Sequence, residues 1–158
     1  MALSGHASIL FVCRDNSGLS LLAEAVAMNA QIGSPGRLRA FSAAASGTAP
    51  VDIAALECLH AARIPADGLS SKPVELFGFS GAPRIDLVVS MVEEAHHALQ
   101  RLPWHGLVRL KSWALDDVSR LTDTHQRRLA YRTLLPRLKA AIRALADEEP
   151  DLFARAAA

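Results

Sequence analysis

The chain has 158 residues, about half of them apolar, and a formal net charge of +1. That is one domain's length, with room for a buried core. The near balance of charge gives no electrostatic basis for binding nucleic acid or an acidic membrane surface, and no apolar run approaches the length of a membrane span.

The opening residues, MALSGHAS, have neither the charged start nor the apolar core of a signal peptide. Cys13 and Cys58 lie far apart in different surroundings and do not make a disulfide framework. The expectation is a cytoplasmic protein with reduced thiols.

A first strand is predicted over Ala7–Val12, followed by a helix over Leu21–Gln31 and a strand over Leu38–Ser42. A helical pattern covers Val51–Ala62, a short one Val74–Phe77, and a turn-rich loop Gly78–Arg84. Then come a strand at Ile85–Met91, a helix at Glu93–Arg101 and a strand at Leu107–Lys111. A long final helix runs from about Thr124 to Asp147, with Leu134, Leu138, Ala141, Ile142 and Leu145 as a core-facing stripe. Pro136 lies inside it and should kink it near Leu135 or divide it in two. Arg127, Arg128, Arg132, Arg137 and Arg143 collect there and read as a solvated face. The main domain is expected over 1–148, with a tail over 149–158 that has no partner pattern and would pack loosely. Strands alternating with helices argue for a parallel sheet covered on both faces. Ligands of such sheets bind outside the carboxyl ends of the strands, the rim where Cys13 and Asp117 fall.

Ile9 to Glu24, ILFVCRDNSGLSLLAE, carries most of the chemistry. A β-branched strand delivers Cys13 to the loop Arg14, Asp15, Asn16, Ser17, Gly18 and Leu19, and Ser20 opens an apolar helix. Backbone N–H groups converging at a helix N-terminus make an anion cradle. The same field lowers a thiol's pKa, so Cys13 is placed to be a nucleophilic thiolate, with a buried, inert thiol as the plainer alternative. Where a cradle of this kind needs an arginine to clamp an oxyanion, the chain has Leu19.

The segment resembles the low-molecular-weight protein tyrosine phosphatases and the thioredoxin-coupled arsenate reductases, whose loop reads Cys, five residues, Arg, then Ser or Thr. The likeness continues through LLAEAV, FSAAASG at Phe41–Gly47, SSK at Ser70–Lys72, IDLVVSM at Ile85–Met91 and WALDDV at Trp113–Val118. It implies a single three-layer α/β/α domain around a four-stranded parallel sheet of order 2-1-3-4. It also implies a mechanism: Cys13 attacks phosphorus or arsenic in line, and Asp117, with Asp116 as the neighbouring fallback, protonates the leaving group. Asn16 would brace the loop from within, and the Ser20 hydroxyl would donate toward the sulfur. Ser20 also fits a plain helix N-cap. Ser42 matches a family serine that helps brace the loop, or is simply a strand-end hydroxyl.

Five departures weigh against ordinary family chemistry. Losing a main oxyanion donor at Leu19 costs on the order of 3–4 kcal/mol, about a thousandfold in rate. Arg14 would compensate if it folded inward; pointing to solvent or pairing with Asp15 is simpler. Asp15 sets a negative charge where an anion would bind, and Val118 stands where the family has proline. No aromatic pair follows the acid to wall a phosphotyrosine cleft. The stretch Ser90–Pro103 holds no cysteine to relay oxidation, so an arsenate reductase of this chain would use an external thiol. Cys58 reads as a core cysteine and Trp113 as a packing residue. His96 and His97 point about 100° apart on a helix, and His6, His60, His105 and His125 are isolated, so neither a metal nor another cofactor is expected.

Two functions follow. One is a degenerate family member with weak or no turnover, acting through an oxyanion or a protein partner of unknown kind. The other is a surviving phosphomonoesterase or single-thiol arsenate reductase using Cys13 and Asp117, with Arg14 replacing the missing arginine.

Overall fold

In a computed structural model the described residues are 7–30, 38–102 and 108–157. His6, His105, the last residue of the helix expected to Gln31 and the start of the strand expected from Leu107 lie outside them. The elements are β1 (Ala7–Cys13), α1 (Leu19–Asn29), β2 (Leu38–Ala44), α2 (Ile53–Ala61), β3 (Leu87–Ser90), α3 (Glu93–Leu99), β4 (Arg109–Ser112), α4 (Thr124–Glu148) and α5 (Pro150–Ala157). Single 3-10 turns lie at Val74–Gly78 and Val118–Arg120.

The four strands pair in parallel in the order β2-β1-β3-β4, as expected. All seven residues of β1 are buried, which suits an apolar strand covered on both faces. Cys13 ends β1 level with Ala44 of β2, and Val12 lies level with Ser90 of β3. The chain leaves β1 toward β2 and returns across it to β3, so the thiol stands at the point where strand order reverses.

α1 buries eight of its eleven residues, from Leu19 to Ala27, and starts behind Gly18 without a side-chain cap. α2 and α4 are capped, by Asp52 accepting from the Ala54 N–H and by Asp123 accepting from the N–H groups of His125 and Gln126. α4 runs unbroken through Pro136 for 25 residues. The proline leaves the Arg132 carbonyl without its helical donor, yet Leu134, Leu135, Leu138, Ile142 and Leu145 are buried on both sides of it. Their packing holds the helix together where local propensity would divide it.

The tail also differs from expectation. Residues 150–157 form α5, which buries Leu152 and Phe153 in the main core. Arg109 of β4 pairs with Glu149, and Lys111 with Glu148, fixing the end of α4 against the sheet edge. The arginines of α4 are not uniformly solvated either, since Arg127 bonds Asp52 at 2.8 Å and Arg128 forks onto Glu57.

Tyr131 of α4 is fully buried against the start of α1. Burial, with the Asp52 carboxylate beside it, pushes its phenol well above the ordinary value. It stays protonated and donates to Asp52 Oδ2 at 3.2 Å. A Cβ on Gly18 would lie 1.9 Å from the Tyr131 oxygen. Gly18→Ala is therefore expected to lower stability by about 1–3 kcal/mol, read from the urea midpoint, because two packed elements must separate.

Candidate active site

The loop from Cys13 to Gly18 is shaped by where its carbonyls point. Those of Cys13, Arg14, Asp15 and Ser17 accept from the N–H groups of Ala45, Ser46, Ala49 and Asp52, at 2.7–3.0 Å. In a trans peptide the N–H points opposite to the carbonyl. The N–H groups of Arg14, Asp15, Asn16 and Gly18 are thereby turned inward, which is the arrangement of an anion cradle.

Asn16 makes the turn. Its φ of +54° is a left-handed conformation that asparagine tolerates better than most residues. Its side chain is buried and used at both ends. Oδ1 accepts from the Lys72 N–H at 2.9 Å, and Nδ2 donates to Ser20 Oγ at 2.7 Å. Ser20 Oγ lies 2.9 Å from Cys13 Sγ. With its oxygen already accepting from Asn16, the Ser20 hydroxyl has its proton free for a sulfur anion. Ser20 is not the helix cap, because α1 begins at Leu19 behind Gly18 and the serine sits inside its first turn.

Cys13 is 3% exposed. Burial pushes its thiol above the ordinary value, and the Asp15 carboxylate adds to the rise. The Ser20 hydroxyl and the backbone N–H groups of Ser20 and Asn16 pull the other way without overcoming burial. The expected lowering by the helix N-terminus is thus outweighed by desolvation.

Leu19 brings no donor to the cradle. It is 3% exposed and belongs to the main core. Asp15 turns back on its own loop, with Oδ1 accepting from the Ser17 N–H at 3.1 Å and the Ser17 hydroxyl at 2.7 Å. One potential oxyanion donor is therefore already matched to a carboxylate of the chain. Arg14 does more than the simple pairing with Asp15 at 3.4 Å. Its Nε donates to Asp117 Oδ2 at 3.0 Å and its Nη2 to Ser119 Oγ at 2.7 Å, tying the two functional loops together.

Asp117 caps the 3-10 turn at Val118–Arg120, where Oδ1 accepts from the Ser119 N–H and hydroxyl. Oδ2 takes Arg14 and, at 3.4 Å, Arg120. Both carboxylate oxygens are therefore engaged within the chain. Asp116 is exposed beside it. Ser42 does not reach the loop; it donates to Glu24 Oε1 at 2.9 Å, with Lys72 Nζ 3.8 Å from the same oxygen. Burial raises the Glu24 carboxyl, against the Ser42 hydrogen bond and the Lys72 charge, and burial lowers the Lys72 ammonium.

The loop is braced instead by the Ser70–Lys72 stretch, where Ser71 Oγ donates to the Asp15 carbonyl and the Lys72 N–H holds Asn16. Lys72, Ser71, Ser119, Asp52 and Tyr131 had no assigned role in the sequence. The SSK run was visible, but a backbone donor leaves no side-chain signature. Trp113 packs on Phe11 with ring centroids 5.8 Å apart, as expected. Cys58 lies on α2, half-buried, packed against the core. His96 Nδ1 is 3.2 Å from Ser90 Oγ, and among the described residues no three metal-binding side chains converge. Among them, too, no helix is long and apolar enough to cross a membrane.

A parallel 2-1-3-4 sheet with a thiol in an amide-lined loop after its first strand defines a class, the cysteine-loop α/β proteins. The family model for low molecular weight phosphotyrosine protein phosphatase matches residues 8–149, and the chain belongs to that family. Among solved structures it is similar to YfkJ from Bacillus subtilis, at 22% identity over 90% of this chain and 96% of that one, with a TM-score of 0.67. A low molecular weight protein tyrosine phosphatase from T. tengcongensis is 20% identical over 90% and 99% of the two chains, with a TM-score of 0.68. An arsenate reductase in the phosphate-binding state is 21% identical over 90% and 98%, with a TM-score of 0.64. No curated protein sequence matches it.

The thiol's surroundings set its reactivity. In a Cys58→Ala background, alkylation of Cys13 followed against pH should rise with an inflection above that of a free cysteine. Ser20→Ala should move the inflection higher still, because the hydroxyl favours the thiolate.

Proposed function

We propose that this chain is a degenerate member of its family. It keeps the cradle but has weak or no turnover, and acts through an oxyanion or a protein partner. The observation that carries the reading is Leu19, folded into the core where the family loop's arginine would clamp an oxyanion. The inward N–H groups of Arg14, Asp15, Asn16 and Gly18 would still hold a phosphate- or arsenate-like anion. Asp15 competes with that anion for the Ser17 N–H and repels it. The nucleophile position belongs to Cys13 and the acid position to Asp117, with Asp116 as its fallback. Ser20 and Asn16 are the positioning residues, braced by Ser71 and the Lys72 N–H rather than by Ser42. The protein works in the cytoplasm without a cofactor or metal.

The second reading, an active phosphomonoesterase or single-thiol arsenate reductase, draws on Arg14, whose guanidinium lies between Asp15 and Asp117 at the site. To serve, it must leave Asp117, which frees the acid and supplies the clamp in one movement.

Turnover of p-nitrophenyl phosphate, and of arsenate with glutathione, separates the two. The native chain is expected to match Cys13→Ser within about threefold, while Asp15→Gly with Leu19→Arg gains about a hundredfold or more, most of the value of one oxyanion donor. Native turnover abolished by Cys13→Ser would overturn the proposal in favour of the second reading. Asp15→Gly alone leaves Leu19 in place and should tighten phosphate binding about tenfold by calorimetry, removing one repulsive charge and one competing acceptor.

A further inference from the structure

α4 lies along α2 and α1, and two cavities open in succession along that seam. The first, of about 260 Å³, is bounded by Cys58, Ala61, Ala62 and Leu135 with Glu57, Arg128 and Arg132. The second, of about 390 Å³, is bounded by Val26, Ile64 and Pro65 with Arg63, Lys139 and Arg143. It lies against the carboxyl end of α1, the end away from the cysteine loop.

The seam's charge is one-sided. Arg128 is matched to Glu57. No carboxylate lines the second cavity, and among the described residues Arg63, Lys139, Arg143 and Arg132 have no ion-pair partner. In a chain with 17 basic and 16 acidic residues, four unmatched cations along one seam are a local excess. Arg132, Lys139 and Arg143 follow at spacings of seven and four, so they share one face of α4. Arg63 stands across from them, just beyond α2, with φ at +57°. A non-glycine residue held in that conformation fixes where its side chain leaves the backbone.

The lining between the cations is mostly aliphatic, with Cys58 and Asn29 among it. It offers no aromatic face for a nucleobase, and a bare phosphate has nothing to place there. From Arg132 to Arg143 α4 rises about 16 Å, the span of about five extended residues. We infer that this seam is a docking groove for an acidic peptide segment of a partner protein, its carboxylates on Arg132, Lys139, Arg143 and Arg63 and its apolar side chains on Val26, Ile64, Pro65 and Leu135. The inference is independent of whether the cysteine loop turns over.

The test is fluorescence anisotropy of the full chain with a labelled hexapeptide alternating glutamate and leucine. Saturable binding is expected, at least tenfold weaker for the glutamine–leucine peptide and for 0.5 M salt. Arg63→Asn with Lys139→Gln and Arg143→Gln should also weaken it at least tenfold; asparagine keeps the left-handed backbone accessible at position 63. If that variant fails to fold, Arg143→Glu, at an exposed position of α4, must weaken binding at least threefold. Absence of saturable binding overturns the inference, as does binding unchanged in these variants. Tripolyphosphate or a short single-stranded DNA binding as tightly as the peptide overturns it too, since the groove would then read charge alone.

Discussion

Everything at the carboxyl rim of the sheet hangs on Asn16. The residue turns the chain into the left-handed region, so that the carbonyls on either side of it face outward and the N–H groups face in. Its amide then spends one end on the Lys72 N–H and the other on Ser20 Oγ. The cost of the unusual backbone, about 1 kcal/mol, is offset by hydrogen bonds at both ends in a place water does not reach. Through Ser20 the same side chain sets the orientation of the hydroxyl that faces Cys13. Loop shape and thiol environment are therefore one property.

Around that centre the electrostatics are closed on themselves. Arg14 faces Asp117 and Ser119, Asp15 faces Ser17, and Lys72 faces Glu24. Each charged side chain beside the loop already has a local opposite or hydrogen-bond partner, and the thiol is buried. The fold accommodates this readily, because strand order rests on backbone pairing and the loop is braced by its own carbonyls, Asn16 and Ser71, none of which calls on position 19.

The parallel sheet could be read directly, since ASILFVC and IDLVVSM are runs that fit strands covered on both faces, while its order followed from the family resemblance. Asn16 and Ser20 could be matched to the loop because their chemistry is in their side chains. What stayed hidden was mostly tertiary. Ser42 looks toward the loop in sequence, but across β2 its neighbour is Glu24. Arg14 could have paired locally; a partner 103 positions away took precedence. Hydrogen bonds from Ser20 and Asn16 do favour the Cys13 thiolate, and desolvation, invisible without the packed core, outweighs them. EEPDLFARAAA carries no long periodic pattern, yet the main core receives Leu152 and Phe153.

Leu19 has a consequence for how such a protein changes over generations. An apolar side chain that has joined the core acts as a ratchet. Reverting it to a charged residue would first withdraw packing and strand a cation among aliphatic neighbours. Any gain in chemistry would come only after further substitutions, at Asp15 and in the pairing of Arg14, and each intermediate would stand closer to the stability threshold. On the reading proposed above, descent from such a chain runs more easily toward new binding surfaces than toward phosphoryl or arsenate chemistry.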